Sequence, residues 1–294
     1  MNFLLPALML LAVPAHAATV EATLDLGDFE NSTQQIENGQ NLEQAPFNFY
    51  YSHSGTQVIY TAEEVSALYE HGASITSISF RYGDTTWSSW YDFSHSLTCY
   101  MELIDDSEFK ATDGKYKWIS PAGEPVSATA TLEYTMDLTG DYFDITLTFD
   151  TPFVIKKADA GKSLLITSTS DLTEGESDYG QYVRPCVYSN EQRNYRMACY
   201  GNDKGDEDFL ALVKSGAEIG GTRSDVYKYD LPVARIKYSY NDTPTAIDDI
   251  AAESTGKCRV YNMSGMQIGD SADNLPKGIY IIQSGSETKK MVVK

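Results

Sequence analysis

The chain is expected to be all-β: a β-sandwich or jelly-roll main domain with a small C-terminal β module. Two observations point there. The first is the stretch from Thr129 to Asp150. Ala130, Leu132, Tyr134, Met136 and Leu138 alternate with polar residues, and Phe143, Ile145, Leu147 and Phe149 do the same. Period-two alternation puts one set of side chains on a buried face and the other in water. Pairing Leu138 with Phe143, Met136 with Ile145, Tyr134 with Leu147 and Leu132 with Phe149 aims both apolar sets at one core. It leaves Gly140-Asp141 as a two-residue turn with glycine first. The second observation is recurrence. Further strand-like runs follow one another, separated by Gly, Asp and Ser turns.

Residues 1–17 read as a secretory signal peptide. Phe3 to Val13 is apolar apart from Pro6, and Ala15-His16-Ala17 is a small-x-small cleavage pattern. That run is too short to span a bilayer, and no later stretch is long enough either. Residues 18–240 form the predicted sandwich. Thr19 to Leu26 suits an edge strand. Gln57 to Tyr60 is a strand, and Thr61 to Val65 a short helix with Thr61 as N-cap, Glu64 completing a capping box and Gly72 ending it. Ile75 to Tyr82 returns to strand, and Leu97, Cys99, Met101 and Leu103 line one face of the next. Leu164-Leu165-Ile166 is a run without alternation, as a strand buried on both faces would show. Tyr182 to Val187, Tyr195 to Tyr200 and Leu231 to Tyr240 complete the set. Residues 241–256 are a polar linker, and residues 257–294 a small β module with too few residues for much core.

The 294 residues carry 22 Lys and Arg against 42 Asp and Glu, a net charge of -20. Phosphate backbones and anionic membranes call for the opposite sign, so neither is an expected partner. Such a charge attracts divalent cations. The four cysteines form no C-x-x-C pair, which leaves a zinc site without support. Cys186 and Cys199 flank a polar turn at Ser189 to Asn194. A hairpin there would set the two sulfurs opposite each other, as a disulfide or as two buried thiols.

The chain's ending resembles the type A C-terminal sorting domain of the type IX secretion system. The resemblance is carried by Val260-Tyr261-Asn262-Met263-Ser264-Gly265, by Leu275-Pro276-Lys277-Gly278-Ile279-Tyr280-Ile281 and by Lys289 to Lys294, after a lead-in at Ala246 to Ile250. The Asn-Pro-containing strand that opens full-length versions is missing, so this one reads as a shortened descendant. The resemblance implies recognition through Tyr261, Gly265, Gly278 and Tyr280 by secretion machinery. It further implies delivery across a bacterial outer membrane, then secretion or cell-surface attachment. The body resembles adhesin-like β-sandwich domains at Gln57 to Val65, at Ile75 to Phe80 and at Asp150 to Val154 ahead of Ser163 to Thr167. Those are strand cores and turns, so they imply a fold and not a chemistry.

Three candidate sites remain. Trp87, Trp90 and Tyr91 read as an aromatic platform for a sugar ring, or as a loop folded over the sandwich edge. Asp203, Asp206 and Asp208, around Gly205, read as a calcium loop or as a solvated acidic turn. The histidines and carboxylates form no recognisable catalytic motif, although a glycosidase needs only two facing carboxylates. The expected function is therefore a non-catalytic, adhesin-like binding protein for a glycan or protein ligand, with no cofactor expected beyond the calcium that the acidic loop could hold. A glycan-active hydrolase and a structural subunit of a surface assembly are the alternatives.

Overall fold

The computed structural model describes residues 18–33, 44–84, 92–123, 125–135, 142–176, 183–228, 230–242, 259–263, 265–272, 275–284 and 287–293. It divides into two compact units, Thr19–Tyr240 and a smaller one containing Asn241–Lys294.

The larger unit begins with β1 (Ala18–Leu26), β2 (His53–Tyr60), a short helix α1 (Ala67–Glu70), β3 (Ser74–Asp84) and β4 (Phe93–Ile104). Then come β5 (Tyr116–Lys117), β6 (Val126–Tyr134), β7 (Tyr142–Val154), β8 (Ser163–Glu174), β9 (Val183–Pro185) and β10 (Val187–Tyr188). It closes with β11 (Met197–Asn202), helix α2 (Phe209–Ser215), β12 (Glu218–Ile219), β13 (Ser224–Tyr227), β14 (Leu231–Pro232) and β15 (Ala234–Asp242).

Eleven of these strands make one antiparallel sheet, ordered β1-β15-β3-β7-β6-β4-β8-β2-β11-β13 with β9 on β3. β6 and β7 join at the pair Thr129 with Thr148, and strands on both sides of that junction, the two halves of the sheet, contribute to one core. Ile78, Phe80, Leu147 and Ile236 come from one half, and Leu97, Cys99, Val58 and Ile166 from the other. Alternation selects them, because every second residue of each strand points inward. Each large side chain so buried contributes about 1.5–3 kcal/mol.

The half holding β8, β2, β11 and β13 is covered on its outer face too. Ile59, Leu165, Ala198 and Val226 point outward there and pack under Trp118, Phe209 and Val213. Leu164, Leu165 and Ile166 are all at most 1% exposed, so the unbroken apolar run is buried on both faces as expected.

Three local expectations need correction. The β6/β7 pair has another register. With Thr129 opposite Thr148, Tyr134 falls beside Phe143, their rings 6.4 Å apart, and not beside Leu147. The shift is an even number of residues, so Leu132, Tyr134, Ile145, Leu147 and Phe149 remain buried. Met136 and the Gly140-Asp141 turn lie outside the described residues. Next, Thr61 and Glu64 make the capping-box contacts, but residues 62–66 form turns and the helix proper is Ala67–Glu70. Last, Cys186 and Cys199 carry no disulfide. The hairpin that would join them does not form. β10 pairs with β14, while β11 pairs with β2 and β13. Cys186 packs with Phe29 and Val233, and Cys199 sits in the main core.

The smaller unit is a four-stranded antiparallel sheet. It comprises β16 (Arg259–Asn262), β17 (Gln267–Gly269), β18 (Gly278–Ser284) and β19 (Glu287–Val293), ordered β17-β16-β18-β19. Val260, Tyr280 and Ile282 are its buried centre, with Leu275, Met291 and Val293 packed against them.

Candidate ligand-binding cleft

Alternation in β4 sends Leu97, Cys99 and Met101 into the main core and leaves Tyr100 and Glu102 on the outer face. Thr167 of β8 and Ser127 of β6 sit on the same outer face, out of phase with buried Ile166 and Ala128. Helix α2 stands beside them. Asp208 caps it by accepting the Leu210 and Ala211 amides at 2.9 and 3.3 Å, and Gly216 ends it at φ 61°. Phe209 and Val213, four residues apart, drive one side of the helix into the second core cluster. Leu210 and Lys214, also four apart, line the cleft between helix and sheet.

A strap from Trp118 to Ala122 forms another wall, and it is tied down along its length. The Trp118 amide donates to Ala217 O at 3.0 Å, and its indole meets the Phe209 ring edge-on at 4.9 Å. Gln57, fully buried in β2, donates from Nε2 to Ile119 O and accepts the Ile119 amide on Oε1, both at 2.9 Å. The Ser120 hydroxyl donates to Lys214 O at 2.6 Å, and the Ala122 amide to Glu102 Oε1 at 2.6 Å. Pinned in this way, the strap lays Ile119 and Pro121 along a cleft of about 220 Å³ whose further lining is Pro125, Ser127 and Thr167.

Apolar surface from Tyr100, Pro121, Pro125 and Leu210 thus faces a few polar groups. Glu102 is the only carboxylate among the described lining residues, and Lys214 the only cation. Burial, with Asp171 and Asp208 nearby, raises the Tyr100 pKa, so its hydroxyl stays protonated and able to donate. Apolar walls with sparse polar groups are what a small-ligand site needs.

The described residues among those singled out from sequence fall elsewhere. Trp87, Trp90 and Tyr91 lie outside the described residues. Asp203 accepts the Ser52 amide on Oδ1 at 3.0 Å. Asp206 pairs with Arg223 at 2.9 Å and accepts from Asn202, and hydrogen bonds from those two groups, Arg223 first, hold its carboxyl below the usual range. Asp208 caps α2. All three carboxylates are engaged by protein donors. Among the described residues no three His, Cys, Asp or Glu side chains form a metal-holding group.

In the small sheet, Gly265 takes φ 80° in the turn after β16, where its amide donates to Asn262 O at 2.9 Å. Tyr280 is buried, and its hydroxyl donates to Pro276 O at 2.7 Å. That ring crowds Gly278, where a Cβ would meet the Tyr280 hydroxyl at 3.1 Å. The Tyr261 hydroxyl donates to Gln283 Oε1 at 3.3 Å.

Sequence reasoning did not identify Tyr100, Glu102, Pro121 or Lys214. Its usable signals were the outward phase of β4 and the capped, amphipathic Asp208-Phe209-Leu210-Ala211-Leu212-Val213-Lys214. The strap has no periodicity, and its position comes from long-range hydrogen bonds.

No family model matches the chain, and no curated protein does. Two similar solved structures are particles of infectious bursal disease virus. One is described as a T13 viral particle bearing on the evolution of icosahedral viruses, the other as the Gx strain. Identity is 12% in both, with TM-scores of 0.23 and 0.22. They cover 82% and 85% of this chain, which spans 44% and 47% of theirs. A likeness this slight carries no argument on function.

Proposed function

We propose that the chain is an exported, non-catalytic, adhesin-like binding protein of a bacterial cell surface, and that it takes one sugar residue of a glycan in the cleft between α2, the strap and β4. The observation behind this reading is the cleft itself. Its walls are tied to a sheet buried on both faces, so little ordering entropy is left to lose on binding. Apolar surface from Tyr100, Pro121 and Pro125 suits the C–H face of a pyranose, while Glu102, Ser127 and Lys214 suit its hydroxyls. Glu102 has no carboxylate partner among the described lining residues, whereas glycoside hydrolysis takes two. Surface delivery is the role proposed for the C-terminal sheet, supported by the ordered run of VYNMSG, LPKGIYI and KKMVVK.

The test is a glycan array probed with the chain lacking residues 1–17, followed by a hydrolysis assay on every glycan it retains. Binding that falls at least tenfold in Tyr100→Ala and in Lys214→Ala, with no product released, supports the reading. Turnover of a retained glycan, or binding indifferent to both substitutions, overturns it.

A further inference from the structure

The floor of the cleft carries one hydroxyl whose hydrogen-bonding sense the protein sets. Thr167 is 8% exposed, the one buried polar side chain among the described lining residues. Gln57 Nε2 donates to its Oγ1 at 3.0 Å. The orientation of the Gln57 amide follows from its other two bonds. Its Oε1 accepts the Ile119 amide and its Nε2 donates to Ile119 O, both at 2.9 Å. Exchanging the two atoms would set oxygen against oxygen and N–H against N–H along the strap. Thr167 Oγ1 is therefore an acceptor toward Gln57, and its own proton has no acceptor among the described residues. That unused proton makes Thr167 a donor to whatever enters the cleft.

Tyr100 stands directly opposite Thr167 across β4 and β8, and Glu102, opposite Leu165, is the diagonal neighbour of Thr167 on the same outward face. Diagonal side chains on an antiparallel pair lie about 7–8 Å apart. Glu102 spends Oε1 on the Ala122 amide, and its Oε2 has no protein donor among the described residues. The surface around the hydroxyl is apolar. Val213 is 4% exposed, and Ile119 and Leu210 are half-buried. A sugar hydroxyl suits this floor poorly. It can accept from Thr167, but it leaves its own proton facing carbon, and a buried donor without an acceptor is costly. An acetamido group suits it well. Its carbonyl only accepts, its N–H points the opposite way as in any trans amide, and its methyl is apolar. An acidic sugar is disfavoured. It would meet Glu102, in surroundings where burial and then Asp171 and Asp208 raise the Tyr100 pKa, with Lys214 as the one opposing charge of the described lining.

We infer, resting on the reading of this cleft as a sugar site, that the sugar it takes is an N-acetylhexosamine. Thr167 donates to the acetamido carbonyl, Glu102 accepts the acetamido N–H, and the methyl lies against Ile119 and Val213. Thr167 is then the specificity-determining residue. Gln57 is a positioning residue, because it occupies the Thr167 oxygen as a donor and leaves the proton for the ligand. A site built to hydrogen-bond one substrate group rejects analogues that lack it, since its own polar groups are left unpaired. The parent hexoses offer neither the carbonyl nor the methyl.

The experiment is titration calorimetry of the chain lacking residues 1–17 with N-acetylglucosamine, N-acetylgalactosamine, glucose and galactose, on the wild type, Thr167→Val, Thr167→Ser and Tyr100→Ala. The wild type should bind at least one acetylated sugar about tenfold or more tightly than its parent hexose. Thr167→Val keeps the shape and removes the hydroxyl, so it should erase that preference, and Thr167→Ser should keep it. A role in packing alone predicts the reverse, with valine tolerated and serine not. If Thr167→Val fails to fold, the wild-type ranking of the four sugars together with Thr167→Ser decides. Equal binding of acetylated and parent sugars, lost in Tyr100→Ala, overturns the inference and leaves the sugar cleft standing, as does a preference that survives Thr167→Val. Failure to bind any of the four, by a protein that still retains other glycans on the array, does the same. Binding indifferent to Tyr100→Ala, or retention of no glycan at all, overturns the cleft and the inference together.

Discussion

Glu64 and Arg196, separated by 132 positions, form an ion pair in which the guanidinium is 6% exposed and the carboxylate 25%. Tyr188 donates its hydroxyl to the same carboxylate at 2.7 Å, the Thr61 amide donates to it at 2.7 Å, and Arg196 Nε donates to Ile59 O at 3.0 Å. One side chain thereby joins the end of β2 to β10 and to the entry of β11. Burial alone would raise the Glu64 pKa. The Tyr188 hydroxyl, Arg196 and Thr61 outweigh it and hold the carboxyl below 4.5. Glu64→Gln strands a buried guanidinium, so a loss of about 3–5 kcal/mol is expected in urea unfolding at pH 7. A carboxyl with a depressed pKa stabilises the fold above its unfolded value and stops doing so as pH falls through the folded one. The gap between wild type and Glu64→Gln should therefore narrow below pH 4.5.

His95 is fully buried between the rings of Phe49 and Phe93, with Nδ1 2.8 Å from Ser170 Oγ. Burial first, then the nearby His53, lowers its pKa from 6.5 to about 4. The unfolded chain takes up a proton near pH 6.5, and the folded one does not until about 4. Stability is therefore full above 6.5 and falls between these values, by up to about 3 kcal/mol. Urea titrations at pH 7.5 and 4.5 should show this loss in the wild type and a shallower one in His95→Gln. Equal pH slopes for the two proteins would refute the assignment.

Burial raises the thiol pKa of Cys99 to about 12 and of Cys186 to about 11. Few thiolates are then present at pH 8, and Cys99, Cys186 and Cys199 are all at most 1% exposed. Iodoacetamide should spare all three in the native protein and modify all three in urea without reductant. Peptide mapping that finds Cys186 joined to Cys199 would restore the hairpin this structure lacks.

Leu147 pairs with Ile78 across β7 and β3 and is fully buried. Leu147→Asp puts an unpartnered carboxylate into the core and should cost about 4 kcal/mol or more. A urea midpoint within experimental error of the wild type would show Leu147 to be outside the core.

Deleting residues 245–294 removes a separate sheet with its own buried Val260, Tyr280 and Ile282. The remaining unit should keep a Tm within a few degrees of the full chain but stay in the periplasm of an expressing cell. An unfolded truncation would make the segment part of the main fold, and a truncation that still reached the surface would remove its proposed role.

Much of this fold was legible because the burial of strand faces is local information. Leu97, Cys99 and Met101 declare the inner face of β4, and Leu164-Leu165-Ile166 declares a strand covered twice, whatever the partners turn out to be. The same alternation sets the parity of the β6/β7 pairing, which is why Tyr134 and Leu147 are buried in a register other than the expected one. Absolute register is not local. In the structure Thr129 faces Thr148 across β6 and β7, while the other edge of β7 pairs Leu147 and Ile145 with Ile78 and Phe80 of β3. The candidate cleft is less local still. Gln57, Ile119 and Lys214 meet only after the sheet has folded and α2 has docked, and no spacing along the chain records their approach. Alternation alone therefore determined an all-β protein and most of its core. Which strands pair, where the thiols lie and where a ligand fits were decided by long-range hydrogen bonds and packing between segments that carry no mark of one another.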